Sequence, residues 1–139
     1  MAKHCQTFDH TADVGLDARA DTLGELFEAL AEGLAEVICA RGIVRAAASR
    51  AVRAEAEDVE ALAVDFLAEV LNVIQADHFL LSSVRVRDIC GTSVSAELLG
   101  EPYDPARHEL KTEVKAVTYH LLRIAREGDT WIGRIILDL

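Results

Sequence analysis

The chain closes on Trp131-Ile132-Gly133-Arg134-Ile135-Ile136-Leu137-Asp138-Leu139, and the reading of this stretch decides the fold. Chain ends ordinarily fray, but Ile135, Ile136 and Leu137 are too apolar to be left in water. The run reads as a core strand, which would fix Asp138 and the terminal carboxylate at its tip. A buried carboxylate costs on the order of several kcal/mol unless it is paired or coordinates a metal. The competing reading puts Asp138 at the sheet's edge, already in water. Near the other end stands Asp9-His10-Thr11-Ala12-Asp13-Val14-Gly15. If Asp13 lies beside Asp138, hard oxygen donors converge, which is the chemistry of a divalent cation site.

Working back from the terminal strand, Val114–Ala125 and Trp131–Leu139 flank Glu127-Gly128-Asp129, a hairpin signal. A turn near Gly128 would set Thr118 or Tyr119 opposite Asp138. Lys115, His120 and His10 are then candidates to support the site or to meet a partner. For His120, a satisfied sheet histidine is the commoner situation. Aspartates such as Asp9 and Asp13 also bond turn amides without any metal. Since only oxygen donors are clear, calcium or magnesium suits the set better than zinc.

The remaining pattern gives the class. Residues 4–9 and 13–19 read as short strands, with Val14, Leu16 and Ala18 alternating. Asp21 or Thr22 caps a helix through about Ala40, its stripe running Leu23, Leu26, Phe27, Leu30, Leu34, Val37, Ile38, with Gly42 as its stop. A polar strand near Ser49–Ala56 leads to Asp58 and a second helix through about Ala76. Leu81–Ile89 and Thr92–Leu99 flank a turn at Cys90-Gly91, and two prolines mark 101–105 as a loop. The spacing predicts an α+β two-layer sandwich, with two long helices packed on one face of a mostly antiparallel sheet.

At 139 residues the chain is expected to be a single domain spanning 1–139. No stretch approaches the roughly 20 apolar residues of a membrane span, and no signal-peptide core follows Met1, so a cytoplasmic protein is expected. Cys5, Cys39 and Cys90 are widely spaced, which argues against disulfides and favours three small buried hydrophobes. Fourteen Lys plus Arg against 24 Asp plus Glu give a net charge of −10. Phosphate backbones repel such a surface, so strong direct nucleic-acid binding is not expected, although Arg41, Arg45, Arg50 and Arg53 cluster in sequence. Docking on a basic protein surface suits the charge. No nucleophile elbow, phosphate-binding glycine loop or His-Glu-x-x-His helix is present.

Three blocks carry a resemblance: Asp9–Gly15, then Lys115-Ala116-Val117-Thr118-Tyr119-His120, then Ile136-Leu137-Asp138-Leu139. In order, spacing and total length the chain resembles the archease family. Archeases are small α+β proteins that assist the GTP-dependent RNA ligase RtcB in tRNA splicing and RNA repair. The resemblance implies an activator rather than an enzyme, one that promotes guanylylation and multiple turnover of an RtcB-type ligase. It also implies calcium, or another divalent cation such as Mg2+ or Mn2+, held by Asp13, Asp138 and the main-chain oxygen of Leu139. Two other classes remain open. From the residues, one is a small metal-dependent hydrolase using Asp9, His10, Asp13 and Asp138; the resemblance also implies a second role, as a chaperone of RNA-modifying enzymes such as methyltransferases.

Overall fold

The computed structural model describes residues 3–10 and 13–139, with the main chain alone at Asp9 and His10. The two helices form where the sequence places them. Thr22 caps α1 (Leu23–Ile38), its hydroxyl oxygen accepting from the Glu25 N–H at 3.1 Å. Asp58 caps α2 (Val59–Ala76) by accepting from the Ala61 N–H at 2.8 Å. Each cap satisfies one orphan donor of the first turn. Helix α1 stops two residues before the expected Ala40, and Gly42 is not what stops it. Cys39 turns to extended backbone and bridges to Leu110, so a strand-like contact ends the helix.

The strands are antiparallel throughout, but they divide into two sheets rather than one. The larger sheet has β2 (Asp13–Ala20) between β1 (His4–His10) and β8 (Thr130–Asp138). On its far side β8 pairs with both β6 (Ala116–Val117) and β7 (Arg123–Glu127). The smaller sheet runs β3 (Ala48–Glu55), β5 (Ser93–Pro102), β4 (Phe79–Cys90). Helix α1 packs on β2 and β4, and α2 on β3, β4 and β6, so both helices span both sheets. Phe27 and Phe66 meet between the helices with ring centroids 5.4 Å apart. These rings, Leu30, Leu67, Ile135 and Leu137 belong to one buried cluster. Full burial of such a side chain contributes about 1.5–3 kcal/mol.

The division has an identifiable cause on α1. Glu28 and Glu32 stand one turn apart and face the free edge of β4. Glu32 Oε2 accepts from the Val84 N–H at 3.0 Å, and Glu28 Oε2 from the Val86 N–H at 2.9 Å. Arg41 Nη1 donates to the Ser82 carbonyl at 2.9 Å. Lys3 bridges the two carboxylates at 3.0 and 3.3 Å. Side chains thus take up the ladder groups that a neighbouring strand would otherwise bond. The two sheets stop at this polar seam.

The strand expected over Val114–Ala125 is broken. Between the pairs Val117↔Leu137 and Arg123↔Arg134 the chain advances six residues against three on β8. The three surplus residues form an interruption in which Leu121 adopts φ 54. Tyr119 and Leu121 are turned outward, 60% and 51% exposed.

The cysteines also depart from a uniform buried set: Cys39 is buried, Cys5 half-buried and Cys90 exposed. At the β4–β5 turn Cys90 Sγ lies 3.3 Å from Ser93 Oγ and 3.5 Å from Thr92 Oγ1. Those hydroxyls stabilise the thiolate and bring the Cys90 pKa down to about 7. Burial instead pushes Cys5 up to about 12.

Two outcomes are expected. Glu32→Ala, which strips the buried Val84 N–H of its acceptor, should cost about 1–3 kcal/mol in urea unfolding, with Glu32→Gln losing less. With limiting maleimide, Cys90 should be labelled ahead of Cys5, with its rate rising through pH 7 as thiolate forms. Equal labelling of both by peptide mass mapping would contradict the hydrogen-bonded turn.

Candidate functional site

Strand β8 alternates between two environments, and that alternation positions the site. Ile135 and Leu137 point toward the helices and are fully buried, opposite Leu16 and Val14 of β2. The intervening register therefore places Asp13 directly opposite Asp138 on the outer face of the sheet. Side chains so opposed have Cβ atoms roughly 4.5–5.5 Å apart, and like charges there destabilise the pair. A cation between them reverses that sign. Asp138 is exposed and Asp13 half-buried, so Asp138 sits at the wet edge and not inside the core.

The row continues on both sides. His10 of β1 pairs with Asp13, and Ala116 of β6 pairs with Asp138. The residue opposite Asp138 is therefore Ala116, not Thr118 or Tyr119, because the three-residue interruption shifts the hairpin register. The Lys115 N–H donates to the Asp138 carbonyl at 2.8 Å, joining the 103–115 connection to the site. His120 lies within the interruption, exposed, and its N–H donates to Thr118 Oγ1 at 3.2 Å. Leu139 follows β8 and is half-buried. The side chains of Asp9 and His10, and all of Thr11 and Ala12, lie outside the described residues.

Two directly opposed carboxylates are hard oxygen donors and fit calcium or magnesium chemistry. Among the described residues no three His, Cys, Asp or Glu side chains gather around one point. A cation here would thus complete its shell with main-chain oxygen or water, which is the part the sequence reading gives to Leu139.

Next to this row the outer face is sealed by an arrangement the sequence reading missed. A Cβ at Gly15 would collide with the Phe8 ring, which occupies the space over the glycine. The Arg134 guanidinium sits 4.7 Å from the centroid of that ring and grips Asp17 through two bonds of 2.8 and 2.9 Å. Ile136, on the same face, is 1% exposed. Gly15 in the Asp13-Val14-Gly15 motif is thus a close-approach position.

Prolines alone mark 101–105 as a loop, but a buried cluster organises it. Glu101 accepts twice from Arg107 at 2.9 Å, from the Arg45 N–H at 2.8 Å and from His108 Nε2 at 2.9 Å. Arg107, foremost, holds the Glu101 carboxyl far below the usual carboxylate range. His108 Nδ1 accepts from the Asp104 N–H at 2.9 Å, so Nε2 carries the hydrogen. Of the arginines grouped in sequence, Arg41 is engaged at the seam and Arg50 lies 4.5 Å over the Phe79 ring. Arg41 and Arg50 are thereby withdrawn from any open basic patch.

Comparison with known proteins adds an independent finding. A family model described as the Archease protein family matches residues 6–139. Protein archease of Methanosarcina acetivorans is 34% identical over 100% of this chain and 98% of its own length. Protein archease of Thermococcus gammatolerans is 39% identical over 95% and 96%. The solution structure of protein 1598 of Methanobacterium thermoautotrophicum superposes with a TM-score of 0.82 at 34% identity, covering 97% of this chain and 98% of that one. A crystal structure from Thermotoga maritima, named an archease and possible chaperone, shares the fold at 23% identity and a TM-score of 0.64, covering 96% of each chain. No helix among the described residues is long and apolar enough to cross a membrane.

Proposed function

The chain belongs to the archease family, and from that premise we propose that it is an accessory protein which activates an RtcB-type RNA ligase. It promotes guanylylation and repeated turnover of the ligase through a divalent-cation site at Asp13, Asp138 and the Leu139 main-chain oxygen. The observation that carries this reading is the direct pairing of Asp13 with Asp138 across β2 and β8. Two carboxylates set face to face on the outer side of the sheet are the hard oxygen pair that a divalent cation takes.

The chemistry asked of the chain is modest. A divalent ion, when bound, polarises phosphate oxygens and neutralises charge that develops in nucleotidyl transfer. The chain's residues hold and orient. Burial of Ile135 and Leu137 fixes the β8 register, the Lys115 N–H restrains the Asp138 carbonyl, and Phe8 with Arg134 covers the same face of the sheet beside the pair. A net charge of −10 favours approach to a cationic nucleotide cleft, raising the encounter rate and fixing orientation. The chain itself turns over no substrate in this reading. Its place is the cytoplasm, and its metal is calcium, with magnesium or manganese as substitutes.

Asp13→Asn and Asp138→Asn should each abolish stimulation of ligase guanylylation while the far-ultraviolet spectrum stays native. Wild-type stimulation by the double variant would remove the pair from the mechanism. Removing Leu139 should weaken calcium binding in isothermal titration, because its main-chain oxygen goes with it. An unchanged titration would assign calcium elsewhere.

A further inference from the structure

The row of outer-face residues next to the carboxylate pair is dry, although that face is turned away from the helices. Two residues along each strand from Asp13 and Asp138, the ladder sets Phe8 of β1, Gly15 of β2 and Ile136 of β8 side by side. On an open sheet face such positions would be wet. Here Gly15 is buried and Ile136 is 1% exposed, yet Ile136 lies outside the core cluster beneath the helices.

The cover comes from Phe8. Its ring takes the place of a side chain at Gly15, where a Cβ would run into the ring carbons Cε2 and Cζ. The ring therefore reaches across β2 toward Ile136. Thr118 borders Ile136 on its far side, its N–H and its hydroxyl each donating to the Ile136 carbonyl at 3.0 Å. Phe8 is itself restrained. The Arg134 guanidinium stands 4.7 Å from the ring centroid, and its two bonds to Asp17, at 2.8 and 2.9 Å, fix its plane. A bidentate grip of this kind sets orientation as well as distance.

We infer that Phe8, Gly15 and Arg134 act together as positioning residues for the Asp13–Asp138 pair, closing to water the flank that faces the middle of the sheet. The inference rests on the cation site proposed above. Excluding water from one flank lowers the local dielectric, and the attraction between carboxylates and a divalent ion grows as the dielectric falls. An apolar flank also offers the ion no oxygen, so its exchangeable ligands gather on the side of the strand tips.

Charge separates this role from a simple electrostatic one. Arg134 stands four residues from Asp138 on β8, roughly 13 Å along the strand, which exceeds the screening length of about 8 Å at physiological ionic strength. As a bare cation Arg134 could only oppose the binding of another, so its removal would leave affinity unchanged or raise it. As the residue that holds the ring, its removal lowers affinity.

The test uses the isolated chain, with calcium titrated by calorimetry and terbium as a probe whose luminescence lifetimes in H2O and D2O count the waters on the ion. Phe8→Ser, and Gly15→Ala with its displaced ring, should each add a water to bound terbium. Both should raise the calcium dissociation constant roughly 10–100-fold, the range for loss of groups that support metal ligands. Phe8→Leu keeps an apolar cover and should retain the wild-type water count, while Arg134→Met should weaken calcium binding. A wild-type water count in Phe8→Ser overturns the inference, even beside a fall in affinity, because the sheet has then loosened without admitting water. Equal or tighter calcium binding by Arg134→Met overturns it too. Arg134 is 45% exposed, so that variant decides the matter where the others fail to fold. A wild-type chain that binds neither ion brings down the cation site and this inference together. Binding by the wild-type chain without stimulation of an RtcB-type ligase defeats the activator reading alone.

Discussion

The whole candidate site depends on one constraint, the burial of Ile135 and Leu137 beneath the helices. Side chains alternate along a strand, so a slip of one residue in β8 would turn both to the outer face and bring Arg134, Ile136 and Asp138 toward the helices. The apolar loss and the buried carboxylate both oppose that slip. The register that results sets Asp13 against Asp138, although 124 positions separate them in the chain. The carboxylate pair is thus held in place by contacts on the opposite side of the same sheet.

The second organising element is the polar seam of Lys3, Glu28, Glu32 and Arg41. By bonding the β4 edge, it lets α1 sit between two sheets without leaving ladder donors bare. It also explains how a chain this acidic buries a glutamate. Glu32 is 7% exposed, yet it accepts from a backbone N–H and faces two cations. The same logic appears at Glu101, where a guanidinium, an imidazole and an amide surround one carboxylate.

Much of this was legible in the sequence where local chemistry decides. Thr22 and Asp58 cap, and the leucine-rich stripes bury as their spacing requires, so both helices could be read directly. The meeting of Asp13 and Asp138 was legible only as a condition, that the apolar terminal strand should come to lie beside the strand of Val14 and Leu16, and the β2–β8 register meets it. The two-sheet division was not, since Glu28 and Glu32 spaced four apart look like a solvated helix face. Nor was the break after Val117: Thr118–Leu122 keeps strand-like residue types, and only the pairing with β8 shows three too many. Cys90 escaped for a related reason, as a turn that exposes a thiol has no apolar signature.

That break has a consequence for how molecules of this chain coexist. The outer margin of β8's partners offers only two residues at β6 and five at β7, displaced from one another by the surplus loop. A second molecule laying a strand along this margin could not keep its hydrogen-bond ladder in step past Thr118. The irregularity therefore works against open-ended stacking of sheets between copies, so a high concentration of this chain need not lead to fibre growth from that side.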